Sequence, residues 1–154
     1  MLSLFVKFFL DLILWNANYR SIFAAYIARK VRDDVAEQME KNGQNTVVSG
    51  GFRGLQKPVG LGTRNFSAPH IIGTYEQSVV KVLLQMSSRA RRFVDIGCGA
   101  GYFTNGFGLV TDIPSIGFDV DPRMVECAEQ VRILNGLKDV HHEVVSATQS
   151  YEHL

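Results

Sequence analysis

The chain has 154 residues, 46% of them hydrophobic and 20% charged, with a net charge of +1. Those proportions suit one folded domain with a sizeable core and exclude wholesale disorder. Near-neutrality provides no broad basic field, so no nucleic-acid partner is expected. The two cysteines, Cys98 and Cys127, have neither disulfide nor metal-cluster spacing, which fits a reducing, cytoplasmic compartment.

Residues 1–15 are the compositional outlier, an apolar run broken by Lys7 and Asp11. Those two charges are four apart and share one helical face, leaving Leu4, Phe5, Phe8, Leu12 and Trp15 on the other. A signal peptide would carry its charge before the run, and a spanning helix needs about 20 apolar residues. The expectation is a helix docked on protein, its own or a partner's, with a homo-oligomer among the options. Peripheral membrane contact is the second reading, supported by Trp15, Arg20, Arg29 and Lys30. From Ser21 the positions Ile22, Phe23, Tyr26, Ile27, Val31, Val35 and Met39 keep a helical period until Asn42-Gly43. Residues 1–42 thus form an N-terminal helical extension.

Residues 43–73 read as glycine-rich loop with a short strand at Thr46-Val47-Val48. Arg53, Lys57 and Arg64 are candidates to meet an anionic or glycan-like substrate, although solvated loop charges are the commoner explanation. Asn65-Phe66-Ser67 fits a glycosylation sequon, without meaning in the cytoplasm. Helical period returns after Gly73-Thr74-Tyr75-Glu76, with Thr74 as cap and Val79, Val80, Val82, Leu83 and Met86 as the apolar face. Arg89, Arg91 and Arg92 follow at that helix's C-terminal end, where the dipole favours cations.

Residues 74–154 are organised around Phe93-Val94-Asp95-Ile96-Gly97-Cys98-Gly99-Ala100-Gly101. A short apolar strand carries one carboxylate, stops at three alternating glycines and passes into a helix over 100–109. A P-loop would need Lys-Ser or Lys-Thr after the last glycine, and a dinucleotide fingerprint would need glycine at position 102, which is Tyr102. Glycines at 97, 99 and 101 allow a sharp turn and clear side chains from a ligand lying across the strand end. After the break at Asp112-Ile113-Pro114, Ser115-Ile116-Gly117-Phe118-Asp119 is a second strand ending in a carboxylate. Asp119 stands about 20 residues beyond the turn, the spacing at which an acid receives ribose hydroxyls. Asp121 then caps a helix with Pro122 in its first turn, striped by Met124, Cys127, Ala128, Val131 and Leu134 and closed by Asn135-Gly136. Val140 to Val145 is a third strand. His141, His142 and Glu143 alternate faces along it, which argues against a metal site.

Val94 to Gly101, with Gly117-Phe118-Asp119-Val120-Asp121-Pro122, resembles motifs I and II of class I S-adenosylmethionine-dependent methyltransferases. Gly73-Thr74-Tyr75-Glu76, Gly101-Tyr102-Phe103-Thr104 and Leu134-Asn135-Gly136 resemble FkbM-like members more narrowly. The resemblance covers residues 70–148. It implies an α/β, Rossmann-like fold, here the N-terminal half of its parallel sheet, truncated after the third strand. It implies S-adenosylmethionine as cofactor, held by Asp95, Gly97, Cys98, Gly99, Gly101, Asp119 and Val120. Glu76 either faces that cofactor or is simply an acid at a helix start. Ser146-Ala147-Thr148 falls at the third cofactor-contacting turn without the usual acid. The implied activity is methylation of an oxygen on a small molecule or glycan, with the catalytic residues unassigned. The alternative is a half-domain acting as an interaction module, with the first strand's open edge pairing to another chain.

Overall fold

A computed structural model describes residues 17–59 and 68–145 of the chain. The expectations for residues 1–15, for Arg64 and the sequon at 65–67, and for Ser146-Ala147-Thr148 lie outside these residues.

The described chain is an α/β domain with a Rossmann-like, three-stranded parallel sheet of order β1-β2-β3. The strands are β1 (Phe93–Ile96), β2 (Ser115–Asp119) and β3 (Val140–Val144). The helices are α1 (Ala17–Lys41), α2 (Ala68–Ile72), α3 (Gln77–Met86), α4 (Tyr102–Thr111) and α5 (Pro122–Leu134). Asp95 is in register with Gly117 and Gly117 with His142, so these three share a sheet face, and α4 and α5 cover it. Phe93 and Phe107 stack there at 4.5 Å between centroids. The opposite face of β1 carries Val94 and Ile96, both exposed, and among the described residues β1 pairs with β2 alone.

Local chemistry sets the element ends. Asp121 caps α5 by accepting from the Arg123 N–H at 3.0 Å, with Pro122 as the first helical residue. Gly136 closes that helix at φ 64°. Its inward stripe is Val125, Ala128 and Val131, whereas Leu134 is exposed: the helix turns its i, i+3, i+6 row to the sheet. Helix α4 starts at Tyr102 rather than at residue 100, because Gly101 holds a left-handed φ of 77° that no α-helical residue adopts.

Three expectations for residues 43–76 are corrected. Thr46 makes only an isolated antiparallel bridge to Gln56 in place of a strand, and the loop over 43–59 supplies core. Val47, Phe52 and Leu55 are fully buried beside Ile71, Val80, Tyr102 and Phe107. Burying one such side chain contributes about 1.5–3 kcal/mol. Gly106 permits this: a Cβ there would stand 2.5 Å from the Phe52 ring. Lys57 contacts no open surface either; it is buried, and its ammonium lies 3.5 Å from Glu40 on α1. Thr74 does not cap α3. Its N–H closes the turn after α2 on the Pro69 carbonyl at 2.8 Å, and the cap position belongs to Glu76. The Asn135 side-chain amide clasps residue 56 from both sides, donating to the Gln56 carbonyl at 2.8 Å and accepting its N–H at 2.9 Å.

Candidate functional site

The C-terminal ends of β1 and β2, where ligands bind in open parallel sheets, carry the glycine turn. Gly97 and Cys98 both donate their N–H groups to the Phe118 carbonyl, at 2.7 and 2.9 Å, which folds the chain back over the strand tip. Gly97 and Gly99 hold φ values of 83° and 54°, and a Cβ on either would meet nothing within 4 Å. Both therefore present bare backbone to open space.

Gly101 differs from them. A Cβ there would lie 2.5 Å from Asn105 Nδ2, 2.8 Å from the Ala128 Cβ and 3.1 Å from His142 Nε2. It is buried, and its bareness brings α4 against α5 and β3 rather than clearing room for a ligand. Gly117 plays a similar part, since a Cβ on it would stand within 2.9 Å of Cys98 and Thr104.

Above the turn lies a cavity of about 450 Å³, within the range of small-molecule sites. Asp95, Gly97, Cys98, Gly99 and Ala100 form its floor, and Glu76 and Met124 stand at its sides. His70, Tyr75, Tyr102 and Phe103 make an aromatic wall. His70 stacks on Tyr75 at 3.9 Å, and Tyr102 meets both edge-on at 4.8 and 5.7 Å. Ring faces and carboxylates around one space suit a cationic or onium ligand.

Each acid has a defined setting. Burial raises the Asp95 carboxyl above its ordinary value, against the opposing pull of the Thr104 hydroxyl, which donates to Oδ2 at 2.7 Å. Asp119 stands behind the turn rather than on the cavity wall. Its Oδ2 accepts the Gly99 N–H at 2.8 Å and its Oδ1 accepts the Asp121 N–H at 2.9 Å. Glu76 is one of two non-glycine residues at positive φ among those described, 43°, a conformation a non-glycine side chain rarely holds. Burial, with the hydrogen bond to the Glu76 carboxylate, raises the Tyr75 hydroxyl. Burial and then the charges of Asp95 and Asp119 push the Cys98 thiol up to about 12, so it is no nucleophile.

Of the residues expected at the site, the structure thus gathers Glu76, Asp95, Gly97, Cys98 and Gly99 around one cavity. Asp119 braces it from behind and Gly101 packs beneath it. Val120, 64% exposed, lies outside the lining. His70, Tyr102, Phe103 and Met124 were not foreseen. Tyr75 and Tyr102 stood in the motif stretches, but no spacing rule marked them as a wall. Below the floor, the His142 side chain is fully buried, with Nδ1 at 2.9 Å from Glu129 and Nε2 without a hydrogen-bond partner among the described residues.

Fold and site together define a Rossmann-like α/β domain with a ligand cavity at its strand ends. No family model and no curated protein matches the chain. Among solved structures it is similar to the YcgJ protein from Bacillus subtilis, at 27% identity and a TM-score of 0.38, over 46% of this chain and 32% of that one. It is also similar to coclaurine N-methyltransferase bound to N-methylheliamine and SAH, at 13% identity and a TM-score of 0.41, over 81% of this chain and 39% of that one. The chain thus spans less than two fifths of either structure's length. The fold assignment rests on the sheet order and register, not on these superpositions.

Proposed function

We propose that this chain binds S-adenosylmethionine and forms the cofactor side of a methyltransferase. One observation carries the reading: at the β1 tip, two open positive-φ glycines, two carboxylates and an aromatic wall face one cavity. The bare backbone of Gly97 and Gly99 would hold the amino-acid part, with Asp95 and Glu76 placed for its ammonium group. The ring faces of Tyr75 and Tyr102 suit the positive sulfonium. Asp119 lies outside the cavity lining and would act on the cofactor by holding the Gly99 and Asp121 N–H groups, which fixes the turn that the cofactor lies across. When bound, the cofactor supplies an activated methyl group; the chain's own part is to bind and align it. The acceptor class, an oxygen of a small molecule or glycan as in FkbM-like enzymes, rests on the resemblance of residues 73–76, 101–104 and 134–136.

Titration calorimetry with S-adenosylmethionine and S-adenosylhomocysteine tests this on wild type and Gly97→Ala. Saturable binding that weakens at least tenfold in the variant supports it. A folded wild type that binds neither compound overturns it.

A second reading has its own observation. Ile96 is 67% exposed on a strand paired along one side only among the described residues, which suits strand addition by another chain. Cofactor-independent co-purification with a strand-donating partner would favour it.

A further inference from the structure

Helix α1 changes character along its length. Its C-terminal part is docked: Ala36 is buried, Met39 packs on the core and Glu40 faces Lys57. Every residue from 21 to 32 is exposed, so this stretch stands away from the domain on all sides. Five large apolar side chains lie in it, Ile22, Phe23, Tyr26, Ile27 and Val31, with Ile22 at 65% and Tyr26 at 60% exposure. Isolated exposed apolar residues need no explanation, but this many within three helical turns mark a contact surface.

The charges divide at the same boundary. Residues 17–32 include Arg20, Arg29, Lys30 and Arg32 and no acid. The acids begin at Asp33 and continue through Asp34, Glu37 and Glu40, where the helix meets the domain. Asp33 is shared by Arg29 at 3.9 Å and Arg32 at 3.5 Å, exposed pairs of little strength, so the projecting stretch keeps a positive surplus.

We infer that the projecting part of α1 is a docking surface for an anionic lipid bilayer. The sign of the charge decides between lipid and a second copy of the chain. Residues 17–32 hold four cations and no acid, so a second copy laid beside this stretch in parallel meets like charge, whereas anionic headgroups attract it along its length. A bilayer interface takes the apolar side chains while Lys30 and the arginines reach back to the headgroups. The acids stay on the domain side, away from negative headgroups. The apolar sequence at 1–15 leads directly into this stretch.

The test is vesicle flotation of the full chain with phosphatidylcholine alone and with added phosphatidylserine. Binding is expected only with phosphatidylserine, weakening as salt rises. Replacing Arg29, Lys30 and Arg32 together by Gln should weaken it on the order of 100-fold, and Phe23→Ser with Ile27→Ser should abolish it. These positions are exposed, so the variants fold. Absence of flotation overturns the inference. So does flotation that neither variant changes, which would place the affinity elsewhere in the chain. A dimer in sedimentation lost with Phe23→Ser/Ile27→Ser, without lipid binding, would assign the surface to a second copy instead.

Discussion

The Asp119 carboxylate accepts the Gly99 backbone N–H at 2.8 Å, tying the tip of β2 to the middle of the glycine turn on β1. Its other oxygen holds the Asp121 N–H, so one side chain sets both the turn and the entry to α5. Asp119→Ala leaves two backbone donors unpaired and should destabilise the fold by about 1–3 kcal/mol. Asp119→Asn keeps one acceptor and should fall between. Urea unfolding measures both, and an alanine variant as stable as wild type would refute the bracing role. Binding losses in either variant have to be read against that stability change.

The three turn glycines should respond differently to alanine. At Gly97 the added methyl meets open space, so the cost is the left-handed backbone alone, about 1–2 kcal/mol. At Gly101 the same strain is joined by contacts under 3 Å with Asn105 and Ala128, and overpacking adds a further 1–3 kcal/mol, roughly. Gly101→Ala should therefore have the lower melting temperature, while Gly97→Ala loses more of the ligand affinity. Equal melting temperatures would contradict the division between a ligand-facing and a packing glycine.

Burial of the Asp95 carboxylate costs stability at neutral pH. Its folded pKa is raised above the ordinary 3.8, so between those values the native state holds a proton that the unfolded chain has released. The group's contribution is full below 3.8 and is lost as pH rises through the folded value. Asp95→Asn, which still accepts from Thr104, should raise the melting temperature near pH 7 and lose that advantage in acid. Affinity for S-adenosylmethionine should drop about tenfold if the carboxylate meets its ammonium. A variant less stable than wild type at neutral pH would refute the first point.

His142 has the opposite sign. Burial lowers its pKa below 6.5, although Glu129 pulls the other way. The imidazole is neutral, donating from Nδ1 to Glu129, whose own carboxyl is pulled down by His142 and Arg132 against the effect of burial. The unfolded chain takes up a proton first as pH falls, so His142 contributes stability above 6.5 that is lost through the folded value. Thermal melts of wild type should fall across that window. His142→Gln should flatten this part of the profile, and an unchanged slope would remove His142 as the cause.

How much of this was legible follows from how local each signal is. Asp121-Pro122 and Asn135-Gly136 bound α5 because caps act within a turn of the chain, and sequence spacing records them. The strands at Phe93 and Ser115 were readable for the same reason, as apolar runs ending at a carboxylate. Helix α2 was missed: five residues beginning Ala68-Pro69 are too few to show a period. The burial of Lys57 was equally invisible, since Glu40 on another element makes it tolerable. Gly101 looked equivalent to Gly97 and Gly99 in the motif, yet Ala128 and His142 from later elements decide its role. The aromatic wall arises likewise, from His70, Tyr75 and Tyr102 meeting only when α2 folds over the turn.

The amide clasp between Asn135 and Gln56 joins positions separated by 79 residues. Closing so long a loop carries an entropic cost that must be met before the contact rewards it. The clasp on residue 56 can form only once α5 has, which puts this one contact late in folding. During synthesis the buried Phe52 and Leu55 would leave the ribosome long before Asn135 exists to hold residue 56. Until then they are the apolar surface for a chaperone to shield.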